Sequence, residues 1–113
     1  MRIEHYSWGK IVIEGRTYTF DLVIYPDRVM PSWWRKEGHK LHMDDLSDVL
    51  EAKPAAIIIG TGFYGAMSVP AEVTTTLRSK GIDVRVTETA EAVTLYNELS
   101  THTKTIACLH LTC

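Results

Sequence analysis

Hydrophobic and polar positions follow two rhythms along this chain, and the change between them falls near its middle. Lys10-Ile11-Val12-Ile13-Glu14 is apolar and β-branched, and Gly15-Arg16 follows as a turn. From Thr17 the pattern has a period of two: Tyr18, Phe20, Leu22 and Ile24 face one way, and Thr17, Thr19, Asp21 and Val23 the other. That alternation predicts a half-buried strand paired with the first in a hairpin. Pro26-Asp27 ends it and Pro31 closes a short run at Val29-Met30, so residues 1–31 read as β-rich.

Ser32 to Lys40 has no period. Trp33-Trp34-Arg35-Lys36-Glu37-Gly38-His39 collects two indoles, three charges and an imidazole around one glycine, which predicts a loop with large anchors. Asp44 or Asp45 then caps a short helix whose Leu46, Val49 and Leu50 share a face, and Lys53-Pro54 stops it.

The second half alternates strand and helix. Ala55–Ile59 is too short for a core helix and apolar on both faces, the mark of a central strand covered on both sides. Pro70 opens a helix running to Lys80 with Val73 and Leu77 inward, and Gly81 is its left-handed stop. Ile82–Val86 alternates as a strand. Thr87 or Thr89 caps the next helix, whose stripe is Ala92, Val93, Tyr96 and Leu99. Ser100–Lys104 is a polar turn and Thr105–Leu111 the final strand. Strand–helix–strand–helix–strand, with extra strands before it, predicts an α/β fold with helices packed on a sheet.

Composition narrows the function classes. At 113 residues, 45% hydrophobic and 23% charged, the chain reads as one globular domain spanning 1–113. A net charge of -2 offers no broad attraction to nucleic acid or anionic lipid, so neither is an expected partner. Cys108 and Cys113, five positions apart on one short strand, would sit too far apart to bridge each other. The opening Met1-Arg2-Ile3-Glu4-His5 lacks a signal-peptide pattern and no apolar run approaches a bilayer span. The expected localisation is cytoplasmic.

The most tempting chemistry is Gly60-Thr61-Gly62-Phe63-Tyr64-Gly65, a literal G-x-G-x-x-G after a strand, with Glu88 placed where a ribose-binding acid would stand. Such a turn can bring backbone N–H groups and a helix N-terminus to a phosphate. Pro70, five residues beyond Gly65, delays the helix, and β-rich sequence rather than a long parallel sheet precedes the motif. A structural turn is therefore preferred to dinucleotide binding, and no cofactor is expected.

His39 and His42, and Cys108 and His110, have no finger or ribbon spacing, so solvated histidines and a buried structural cysteine are preferred to a metal site. No catalytic set converges. Trp and Arg are enriched at binding hot spots, so Trp34, Arg35 and His39 are expected to line a cleft or partner surface near the Gly60–Gly65 turn, with one indole of the loop plugging the core.

Several segments together resemble a known family: Ser7-Trp8-Gly9-Lys10-Ile11, Trp34-Arg35 through Gly38-His39, Ile59-Gly60-Thr61-Gly62, Thr89-Ala90-Glu91-Ala92 with Tyr96-Asn97, and Leu109-His110-Leu111-Thr112-Cys113. The chain resembles, over nearly its whole length, the family named after a methanogen archaeal protein of unknown function. That family includes the adipogenesis-associated domain protein and a mitochondrial complex I assembly factor. The resemblance implies a three-layer β/β/α arrangement: a mixed central sheet, helices on one face, a small β layer on the other, and one strand, the last, running antiparallel. It implies no established reaction or cofactor, and its assembly-factor members imply protein partners.

The expected function is thus a non-catalytic, assembly-type interaction module, compatible with homo-oligomers. The alternative is a small anionic-ligand pocket or enzyme at the glycine turn, with Thr61, Thr87 and Thr89 as hydrogen-bond donors. Convergent polar groups in a pocket would favour the alternative, and an exposed apolar patch around the Trp loop the first reading.

Overall fold

In the computed structural model, which describes residues 1–113, the β-rich first third divides between two sheets. Strands β1 (Ile3–Ser7), β2 (Lys10–Ile13) and β3 (Arg16–Tyr18) form a small antiparallel sheet in that order. The β2–β3 turn is Glu14-Gly15, one position earlier than expected, with both residues at positive φ as the twist of a two-residue hairpin requires. The chain then leaves this sheet. Strands β4 (Leu22–Ile24) and β5 (Val29–Met30) belong to the second one.

The alternating segment that begins at Thr17 is therefore two strands rather than one. Phe20, expected inward, is 72% exposed, whereas Leu22, Val23 and Ile24 are all buried. Strand β4 lies inside a sheet covered on both faces, where both sides of a strand must be apolar. The bend at residues 19–21 carries the chain between sheets and turns Phe20 out.

A 3-10 turn (Met43–Leu46) leads into helix α1 (Ser47–Glu51). The Asp45 carboxylate reaches back to accept the His42 N–H at 2.9 Å, so His42 and not an aspartate holds the cap position. Then come β6 (Ala56–Gly60), α2 (Ala71–Ser79), β7 (Asp83–Thr87), α3 (Thr89–Leu99) and β8 (Thr105–Leu109), close to the sequence-based boundaries. The five-stranded sheet has the order β5-β4-β8-β6-β7. It is mixed, but the antiparallel member is not the last strand: β8 runs parallel to β6, and β4 runs against β8. A helix connects β7 to β8, and helical crossovers join parallel strands.

The mixed central sheet and the small β layer are present as expected, but helices lie on both faces of the sheet rather than on one. Ile57, Ile59, Ile106, Cys108 and Val23 face one core with Val49 of α1 and Val73 and Leu77 of α2. Ile58, Ala107, Leu22 and Ile24 face the other, closed by Ile3, Ile11 and Ile13 of the small sheet. Fully burying each such side chain is worth roughly 1.5–3 kcal/mol. Helix α3 lies on this second face, with Ala92 and Tyr96 beside the small sheet, and the strand order explains why. The chain steps outward from β6 to β7 and then back across β6 to β8, so two right-handed crossovers must put α2 and α3 on opposite faces. That reversal creates a switch point at the carboxyl ends of β6 and β8, where open α/β sheets usually bind ligands. No helix is long and apolar enough to cross a membrane.

Candidate functional site

The crevice at the switch point is filled by the protein's own chain. After β8 the segment His110–Cys113 runs alongside the glycine turn after β6. Phe63 N–H donates to the Thr112 carbonyl at 2.6 Å, and the Tyr64 and Ala66 N–H groups both donate to the Cys113 main-chain oxygen. Thr61 N–H donates to the Thr87 carbonyl, Gly62 N–H to Thr89 Oγ1, Gly65 N–H to the Gly62 carbonyl and Met67 N–H to the Thr61 carbonyl. Every N–H from Thr61 to Met67 is thereby committed, and none is left for a phosphate or other anion. The glycines serve this internal docking. Gly62, at φ +112°, would place a Cβ 2.5 Å from the Cys113 carbonyl carbon, and a Cβ on Gly60 would lie 2.8 Å from Thr89 Oγ1. Glu88 lies over Gly65 instead of facing an open crevice.

Beside the tail sits a buried polar cluster. Asp21 Oδ2 accepts from Arg35 Nη2 at 2.8 Å and from His110 Nδ1 at 2.7 Å, while Oδ1 accepts the Leu111 N–H at 2.7 Å. Arg35 Nη2 also donates to the Gly38 carbonyl, and the guanidinium lies over the Trp33 ring at 4.7 Å. Burial opposes the Asp21 charge, but the hydrogen bonds from His110, Leu111 and Arg35 outweigh it and hold the carboxyl below its ordinary pKa. With Asp21 ionised, His110 Nδ1 is the donor; His110 Nε2 is buried without a partner, as are Arg35 Nε and Nη1.

Most of the residues singled out from sequence meet here. Arg35 is in the cluster, and His39 lies edge-on to His110 with ring centroids 5.6 Å apart. Gly60, Thr61, Gly62, Thr87 and Thr89 surround the tail, with Thr61 Oγ1 donating to the Thr87 carbonyl and Thr89 Oγ1 to that of His110. Neither Thr87 nor Thr89 caps α3, because Glu88 holds that position and Thr89 is the first helical residue. Thr61 and Thr89 spend their hydroxyl protons inside the protein, which removes them as donors to an outside anion. The expectation that the histidines are solvated fails for His110, which is buried. Cys108 is core as expected, its thiol pushed up to about 12 by burial. No group of three His, Cys, Asp or Glu side chains converges as a metal site would need.

Trp34 points elsewhere. Trp33 is the indole that plugs the core, 6% exposed with its Nε1 donating to the Asp45 carbonyl. Trp34 is 77% exposed. It stands with Phe20 and Thr112 around one shallow concavity, and with Val23, Tyr25, Met30 and Val49 around a second of about 300 Å³. Sequence reasoning missed Asp21 and set His110 aside as a solvated histidine; their one advance signal is a charged or polar side chain at the edge of an apolar strand.

Fold and site together define a mixed-sheet α/β domain whose ligand crevice is closed by its own chain and whose exposed Trp34 lies beside the β4–β5 edge of the central sheet. The chain belongs to the family described as protein of unknown function (DUF498/DUF598), whose sequence profile matches residues 3–110. It is similar to the conserved hypothetical protein PH1505 from Pyrococcus horikoshii OT3, at 29% identity over 100% of both chains with a TM-score of 0.84. It is likewise similar to MT938, at 31% identity over 99% of this chain and 98% of that one, TM-score 0.82. A Mth938-like domain protein of Bordetella pertussis shares the fold at 15% identity over 97% of this chain and 85% of that one, TM-score 0.66. The resemblance to the methanogen-named family is thus borne out.

Proposed function

We propose that this chain is a non-catalytic, assembly-type protein-interaction domain whose contact surface is the aromatic groove at Trp34, working in the cytoplasm with its two cysteines as free thiols. The observation that carries the reading is the exposure of Trp34 and Phe20 side by side around one concavity, beside a buried Trp33 that fixes the loop. Large exposed aromatics in a concave, partly apolar setting are what hot spots consist of, and burying them against a partner recovers the hydrophobic free energy left unused in the free protein. The committed N–H groups of the glycine turn support the same reading by removing the anion site that the alternative needs.

The test is quantitative capture from a lysate on immobilised wild type, Trp34→Ala, Phe20→Ala and Thr75→Ala, the last an exposed control on α2. The expected result is a protein enriched on wild type and control and reduced about tenfold on both groove variants. Equal enrichment on all four would overturn the reading.

A second reading rests on the buried, unpartnered His110 Nε2 beneath the exposed His39. A small polar ligand admitted by a shift of His39 would hydrogen-bond to that nitrogen. Excess mass on native mass spectrometry that is lost on denaturation supports this reading, and a clean protein mass discards it.

A further inference from the structure

We infer that the groove at Trp34 takes a basic segment of the partner, with an arginine or lysine side chain seated between Trp34 and Asp48; this rests on the reading of the groove as an interaction surface. The concavity that holds Trp34 continues along the edge strand β5, because Tyr25, Met30 and Asp48 line both it and a second hollow that reaches Arg28 and Glu51. Its floor is apolar and its α1 wall is acidic. Asp48 and Glu51 lie along that wall, after Asp44 and Asp45 of the preceding turn.

Asp44 is paired within the protein, but the charges of Asp48 and Glu51 on this wall are not. Lys36 is committed to Asp44 at 2.6 Å, and Arg28 is paired with Asp27 at 3.0 Å while lying over the Tyr25 ring. Asp45 accepts only main-chain N–H groups, from Lys36 and His42. Asp48 and Glu51 enter no ion pair of the structure. Asp48, which lines both hollows, and Glu51, which lines the second, thus leave the α1 wall acidic in a chain whose total net charge is only -2. An acidic segment would be repelled from it and a neutral one would leave it unsatisfied.

An arginine or lysine side chain matches each wall in turn. Its methylene stem lies on Val23, Met30 and Val49, as long basic side chains do on apolar surface. Its cationic head meets the Asp48 carboxylate on one side and the Trp34 indole face on the other. A space of about 300 Å³ sits at the small end of ligand sites, enough for one or two side chains and too little for a dinucleotide.

The test is a titration of ¹⁵N-labelled protein, followed by NMR, with three capped pentapeptides: acetyl-Arg-Leu-Arg-Leu-Arg-amide and its Gln and Glu counterparts. The arginine peptide is expected to shift the Trp34 indole N–H and the amides of residues 48–51, saturably and less strongly at raised salt. Asp48→Asn combined with Glu51→Gln, both exposed and checked for folding in the same spectra, is expected to weaken the effect about fivefold. If the glutamine peptide binds as well as the arginine peptide, the basic-segment inference falls while the groove stands as an interaction surface. If no peptide moves these signals at millimolar concentration, the inference falls and the capture experiment judges the surface separately.

Discussion

The two ends of the central sheet have been treated in opposite ways. At the carboxyl ends of β6 and β8, where the strand order reverses and ligand sites usually form, all seven N–H groups of residues 61–67 are consumed internally, and His110–Cys113 fills the space. At the β5 edge the Trp34 indole stands largely in water beside an acidic wall, and the exposed Phe20 shares a second concavity with it. The glycine pattern and the aromatic loop both look functional in one dimension. The backbone donors of the first are spent within the protein, whereas the Trp34 indole of the second stays in water where a partner can cover it.

The largest expected effect breaks the closed end. Asp21→Ala leaves the Arg35 guanidinium buried without its carboxylate and should cost about 3–5 kcal/mol in chemical denaturation. Gly62→Ala forces a Cβ into the docked tail at a backbone angle that disfavours side chains, and should cost about 3 kcal/mol.

A milder probe is pH. The folded Asp21 pKa lies below its unfolded value of about 3.9, so its contribution is present above that pH and is lost as pH falls through the lower folded value. Denaturation midpoints of wild type should therefore fall more steeply below about pH 4 than those of Asp21→Asn, and equal slopes would contradict the assignment. At the open end Trp34→Ala should change stability by less than about 0.5 kcal/mol, since the indole touches little of its own protein. A larger loss would mean that Trp34 supports the fold, and the contrast between the two ends would collapse.

What the sequence made legible was local. The continuous apolar run from Ala55 marked the central strand, Pro70 and Gly81 bracketed α2, and the stripe of Ala92 and Tyr96 found the buried face of α3. What it concealed depends on partners far along the chain. Asp21 read as one outward position in an alternating strand, yet it binds Arg35, 14 residues away, and His110, 89 residues away. No period of two or 3.6 records such a pairing. The passage of residues 19–21 between sheets was hidden for the same reason, and with it the exposure of Phe20. The direction of β8 likewise follows from its helical crossover and its neighbour β6, not from its own residues.

Native-state hydrogen exchange at the Gly62 and Phe63 amides tests the central contrast most directly. Their bonds to Thr89 Oγ1 and the Thr112 carbonyl close the switch point, so these amides should exchange as slowly as those of β6. Exchange within minutes, at the pace of an exposed loop, would mean that the tail undocks readily and that the crevice, not the Trp34 groove, is the open site.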